Sequence, residues 1–236
     1  MSLPPELLEQ TEHGVDVYVA AVVRDAAAIV PEGYRDANVP IVARLQVLAR
    51  RLVQAHAGGD AAVAISVHCW HPEKIGETAE VILAAPFMID DARLTVAREH
   101  GFADWAEAES LGDATSDVDF ERAVDAVIHG DLHSLRSLLE NRPELIRQQS
   151  AFGHGARLLH YVGSNGVETH RQKAPLNLAE VTRALLDAGA EVDAVANIYG
   201  GSTTLGLLLS SGHPAEAGVA DQVARILIDA GAATTD

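Results

Sequence analysis

Val181-Thr182-Arg183-Ala184-Leu185-Leu186-Asp187-Ala188-Gly189-Ala190 returns later in the chain as Ala224-Arg225-Ile226-Leu227-Ile228-Asp229-Ala230-Gly231-Ala232. Each stretch carries an aliphatic pair, an Asp-Ala spacer and a closing Gly-Ala. Leu158-Leu159-His160 with Gly163 and Gly166 precede the first, and Thr203-Thr204-Leu205 with Gly212 precede the second. The pattern predicts helix pairs. Small residues keep the first helix narrow, a turn glycine adopts a conformation other residues resist, and the aliphatic pair of the second helix fills the seam between units. The Gly of Gly-Ala ends that helix and turns the chain into an extended finger. An earlier copy spans Phe120 to Ile146, with Gly130, Asp131 placed to cap a second helix, and Leu138-Leu139. It ends on Arg142-Pro143-Glu144-Leu145, a proline stop where a Gly-Ala would stand.

These residues resemble ankyrin repeats, whose usual form is Thr-Pro-Leu-His, a turn glycine, Leu-Leu and a closing Gly-Ala. The resemblance implies an all-α fold, a helical repeat solenoid of about three units over residues 116–236, preceded by irregular helices over residues 1–115. It also implies that Thr203 and His160 hydrogen-bond the backbone to lock successive repeats. The chain departs from the family pattern at Leu158 and Thr204, which replace proline, and at Gly206, which replaces histidine. Insertions at Val167 to Ala179 and His213 to Gly218 depart further, and Ala233-Thr234-Thr235-Asp236 stand where the family would place a polar capping repeat, which is therefore not expected.

Working toward the N-terminus, Gly59-Asp60 and Pro72-Glu73 stand at the spacing of Gly130-Asp131 and Pro143-Glu144. Leu45 to His71 is therefore expected to be a degenerate repeat. Asp91 to Trp105 resembles a helical cap ahead of such repeats in bacterial proteins. Residues 14–30 show an alanine- and valine-rich helical pattern closed by Pro31. Leu111 to Val118, with Gly, Asp, Thr and Ser, is the expected boundary between the halves.

Composition narrows the function classes. In 236 residues, 48% are hydrophobic and only 4% aromatic, which suits helices packed through small side chains. The formal charge of -17 repels phosphate backbones and anionic lipid, so nucleic acid and membrane are poor partners. A basic protein would be steered inward, although such acidity also serves solubility alone. Cys69 is the only cysteine, which excludes an intramolecular disulfide and a cysteine-rich zinc site. The N-terminus shows neither a basic n-region nor an apolar h-region, and apolar runs such as Val81 to Met88 are too short to span a bilayer. The expectation is a cytoplasmic protein.

Binding candidates come from the departures. Val167 to Ala179 contains Glu168, His170, Arg171, Gln172 and Lys173, and extra loop length in a solenoid gathers on one face, often the binding face. The competing reading is a tolerated surface insertion. Tyr199 and Phe152 sit near finger tips, where exposed aromatics would anchor a partner; alternatively they fold back onto adjacent fingers. Asn165, Ser210 and His213 are expected to line a groove under the insertions. His68-Cys69-Trp70-His71 lacks the further ligands that a metal site needs, and His129 and His133 are expected in solvent. The sequence contains no phosphate loop, nucleophile elbow or His-Glu-x-x-His helix. No catalytic residue, metal or cofactor is assigned. The expected function is protein binding through fingers and concave face, with the alternative of an enzyme or small-molecule binder whose pocket lies between the insertions and the helices.

Overall fold

Val15, Val17 and Val19 alternate with Asp16 and Tyr18, a period-two pattern of β-branched and aromatic residues that favours extended chain. In the computed structural model, which describes residues 3–234, this stretch is a strand. β1 (Leu8–Gln10) and β2 (Asp16–Tyr18) pair antiparallel, and β2 also pairs with β3 (Ala174–Pro175), so the sheet order is β1-β2-β3. Tyr18 stands opposite Leu8 on one side and Ala174 on the other. The expected single helix over 14–30 is thus corrected: α1 (Ala21–Ile29) begins only after the strand. The fold is mostly helical with one small three-stranded sheet among the described residues, consistent with the expected all-α class. The absence of a leader read from the first residues, and the final Thr235-Asp236, fall partly or wholly outside the described residues.

Helices then follow to residue 109: α2 (Ile41–Ala57), α3 (Ala62–Trp70), α4 (Ala79–Ala84), α5 (Ile89–Glu99) and α6 (Trp105–Glu109). Gly59, at φ +72°, makes the turn between α2 and α3 in a conformation that strains a side-chain-bearing residue. Leu45 and Leu52 of α2, Val67 of α3 and Val96 of α5 face inward at helical spacing and form one core.

The second half carries α7 (Val118–His129), α8 (Leu132–Asn141), α9 (Leu178–Asp187), α10 (Thr204–Ser210), α11 (Gly212–Glu216) and α12 (Ala220–Asp229). Local chemistry sets their ends. Asp117 caps α7, Gly130 terminates it at φ +70°, and Asp131 caps α8 by accepting from the Ser134 N–H at 3.0 Å. Ahead of α9 the chain forms a 3₁₀ segment, Leu158–Gly163. His160 accepts from the Arg157 N–H at 3.0 Å through Nδ1, which leaves Nε2 to donate to the Ala194 carbonyl at 2.9 Å. That bond ties the 3₁₀ segment to the loop that follows α9. Thr203 caps α10 through the Gly206 N–H at 3.3 Å.

Two hydrophobic cores result, and they do not respect the expected boundary. Val17 to Ala20 and Val23 pack with residues of α7, α9, α10 and α12, whereas Phe152 joins the core of α2, α3 and α5. Each half therefore contributes a piece to the other's interior. The connecting stretch is tied down as well, since Ile41 N–H donates to Ala114 O at 2.9 Å. Among the described residues no helix is long and apolar enough to cross a membrane.

Candidate functional site

The insertion does not lie in solvent. Glu168 is 0% exposed and His170 9%, with Thr169, Arg171 and Gln172 also buried between the two halves. Charges survive there because they are paired. Arg171 donates through Nη1 to Glu168 Oε1 at 3.1 Å and through Nη2 to Glu121 Oε2 at 2.6 Å. Glu121 lies in the buried stripe of α7 beside Phe120 and Val124, so the helix presents one carboxylate inside its apolar face. Burial raises the Glu168 pKa, but Arg171 and the neighbouring His154 and His100 outweigh it and hold the carboxyl well below its usual range. Burial opposes the charge on Arg171 too, and Glu168 and Glu121 overcome it.

Aromatic and histidine rings surround this ion pair. Tyr34 meets His100 and His170 edge-on, with centroids 5.7 and 5.5 Å apart, and Phe152 lies 4.7 Å from His100. The buried Arg44 guanidinium covers the Tyr34 and Phe152 rings at 5.3 and 5.5 Å, and its Nη1 donates to Ser116 Oγ at 2.8 Å. His154 accepts from the Ala156 N–H through Nδ1 at 3.0 Å, and its Nε2 lies 3.6 Å from Glu168 Oε2. That separation exceeds a hydrogen bond. His154 Nε2, Glu168 Oε2 and Tyr161 Oη are buried without a hydrogen-bond partner. Burial drives the His100 pKa down to about 4, and it drives His170 well down, with Arg171 adding to the effect. With Glu168 and His154 both 0% exposed, no substrate atom reaches them in this conformation, and the cluster works as a polar lock between the halves.

Beside the lock a cleft of about 550 Å³ opens where the finger of residues 195–202 approaches α3, α5 and α6. Trp70, Phe102, Ile198 and Tyr199 give it apolar walls, and Arg98 and Asn197 give it polar edges. The Trp70 and Tyr199 rings are parallel to within 2°, with centroids 6.5 Å apart. Trp70 Nε1 donates to Thr169 Oγ1 at 3.3 Å, and the Thr169 N–H donates to Glu99 at 3.1 Å, so the insertion fixes one wall. Tyr199 Oη donates to Asn165 Oδ1 at 3.0 Å, and Asn165 Nδ2 donates to Ser210 Oγ at 3.0 Å, fixing the other. Tyr199 adopts φ +52°, a left-handed conformation costing a bulky residue about 1–2 kcal/mol. A second groove, of about 500 Å³, lies between the β1–β2 turn and α7–α8, away from this cluster.

The residues expected at the site separate into groups. Asn165, Tyr199 and Ser210 come together in the hydrogen-bonded chain just described. Phe152, Glu168 and His170 are corrected: the N-terminal half covers the first, and ion pairing and ring packing draw the others inside. Val167 to Ala179 is accordingly an interior segment. His213 is half-buried on α11, and its side chain bonds none of the others. His129 is half-buried beside Lys173 rather than in solvent, which lowers its pKa through burial and then through the lysine charge. His68 and His71 diverge, one against the Glu77 carbonyl and the other facing Asp91. Among the described residues no three His, Cys, Asp or Glu groups converge for a metal. Sequence reasoning missed Arg98, Phe102 and Asn197, and weighed Trp70 only against its histidine neighbours. No local pattern links these residues to Tyr199. In comparisons with family models, curated proteins and solved structures nothing matches this chain.

Proposed function

We propose that this protein binds a small molecule in the cleft between its two halves, and that residues 116–236 are a short ankyrin-type stack whose binding side is taken up by the chain's own N-terminal half. The observation that carries this reading is the cleft itself: about 550 Å³, within the range of ligand pockets, with mainly apolar walls and few polar edges. The His160 bond to Ala194 and the Gly-Ala helix ends support the repeat assignment. Protein binding through the fingers is less well supported, because Phe152 is 3% exposed and the insertion is interior. A binding protein needs no catalytic group.

The test is thermal denaturation against a broad metabolite set, alongside capture of proteins from lysate. The expected result is a ligand that raises Tm in proportion to ln concentration, with the rise lost in Arg98→Ala or Asn197→Ala. Stabilisation by no metabolite, together with capture of a protein that Tyr199→Ala releases, would overturn the proposal and favour the finger interface.

A further inference from the structure

We infer that Trp70 and Tyr199 form a clamp for a planar heteroaromatic ring, an inference that rests on the small-molecule reading and names its ligand class. A ring touching both faces needs about 7 Å between them, twice the ~3.5 Å carbon contact distance. The two side chains lie parallel within 2° with centroids 6.5 Å apart, so their planes stand at most 6.5 Å apart and admit such a guest only through an outward movement of Tyr199. Tyr199 is free to make it: its residue is 66% exposed.

The parallel alignment is built from distant parts of the chain. Trp70 ends α3 and is held through Thr169, whereas Tyr199 sits on the finger and is held through Asn165. Its left-handed backbone is stabilised by the Ala196–Ser202 bridge and by Ser202 Oγ donating to Ile198 O at 2.9 Å. Backbone strain of this kind persists where the surroundings over-determine it, and it gathers at ligand clamps. Gly166 lets the finger come close, since a Cβ there would lie 2.2 Å from Ile198 Cγ2 and 3.2 Å from Tyr199 Cε2.

The edges specify the guest further. Arg98 is exposed at the cleft and makes no ion pair among the described residues, and with the Glu107 carboxylate on the same rim it can donate to a neutral carbonyl oxygen. Asn197 Nδ2 lies 3.3 and 3.4 Å from two backbone carbonyls, leaving its Oδ1 to accept from a ring N–H or amino group. Flat faces with a donor and an acceptor at the rim fit a nitrogen heterocycle bearing a carbonyl or carboxamide. A saturated ring of equal size does not fill two parallel faces.

Trp105 is the only other tryptophan, so a Trp105→Phe background leaves Trp70 as the sole indole reporter. The probes are nicotinamide, lumazine and adenine, with cyclohexanecarboxamide as the puckered counterpart of nicotinamide. Planar probes should quench Trp70 saturably, and the puckered one should bind about tenfold more weakly or worse. Tyr199→Leu should cost about tenfold in affinity while Tyr199→Phe keeps most of it. Near-ultraviolet circular dichroism of the variants confirms that they fold. Equal binding of the puckered probe, unchanged affinity in Tyr199→Leu, or no saturable quenching by any planar probe at millimolar concentration would overturn the clamp. A metabolite that stabilises wild type and Tyr199→Leu equally would remove the clamp and leave the small-molecule proposal standing. If no metabolite binds either protein, both fail.

Discussion

His100 donates from Nδ1 to the Val96 carbonyl at 2.7 Å and accepts a hydrogen bond from the Tyr34 hydroxyl on Nε2, so its folded form is neutral and fully used. Its pKa falls from 6.5 to about 4 because burial penalises the cation. Below pH 6.5 the unfolded chain takes up a proton that the folded chain refuses until about pH 4. Stability should therefore fall as pH drops through that window, by roughly 3 kcal/mol at its acid end. The depressed His170 and His160 act in the same direction. Glu168, with its pKa held down, adds its loss only at still lower pH. Urea unfolding of wild type and His100→Gln across pH 7 to pH 4.5 checks this. The variant should lose about one proton of slope, and an unchanged slope would place the titration elsewhere. Gly166→Ala tests the clamp's clearance, because φ +70° and the 2.2 Å approach to Ile198 act together. It should destabilise by about 1–3 kcal/mol and displace Tyr199, seen as altered Trp70 emission. Local residue roles were legible in the sequence: Asp131 caps α8, Gly130 ends α7, and His160 bonds the backbone of the loop after α9. Phe152 and Arg171 were not, because the His100 and Glu121 side chains that meet them lie about 50 residues away in sequence.

At the scale of elements, periodicity read the second helices well, since α9 and α12 each bury one stripe and end at Gly189 and Gly231. It failed at the first strand. A short alternation flanked by alanine-rich sequence gives a period-two signal too brief to compete with the helical one. It failed again at the insertion, where polarity suggested solvent while the true signals were Glu168 and Arg171 at complementary charge and Glu121 within the apolar stripe of α7. A tolerated surface insertion would be dispensable, whereas this interior segment is not. Replacing residues 167–177 by a short Gly/Asn turn strips Glu121 of its guanidinium and β2 of its β3 partner. Breaking a buried pair costs about 3–5 kcal/mol, and at ~2–4 °C per kcal/mol for a chain of this size Tm should fall by roughly 10 °C or more. A trimmed protein that melts like wild type would mean that the ion pair contributes nothing.

Across the whole molecule, the two cores exchange pieces, with Val17 to Ala20 and Val23 in one and Phe152 in the other. Composition and repeat spacing located the two halves but could not show that they interlock. Contacts such as His154 N–H to the His100 carbonyl, 3.1 Å, and Asn197 N–H to the His154 carbonyl, 2.8 Å, join residues with no shared pattern. The interlocking has a measurable consequence. Residues 112–115 are exposed on the loop between α6 and α7, so a protease site inserted after Gly112 should be cut in the folded protein. If the halves were independent units on a linker, cutting would release them, and each would melt on its own. Here each fragment would lose part of its core and leave one side of the Glu168–Arg171–Glu121 network without its cover. The nicked protein should instead elute as one particle in native size exclusion and melt in a single transition, at a somewhat lower temperature than the intact chain. Separation should require denaturant, and the fragment covering residues 113–236 should then refold poorly without its partner. Two independent transitions, or native separation after the cut, would show that the shared cores contribute too little to hold the halves together.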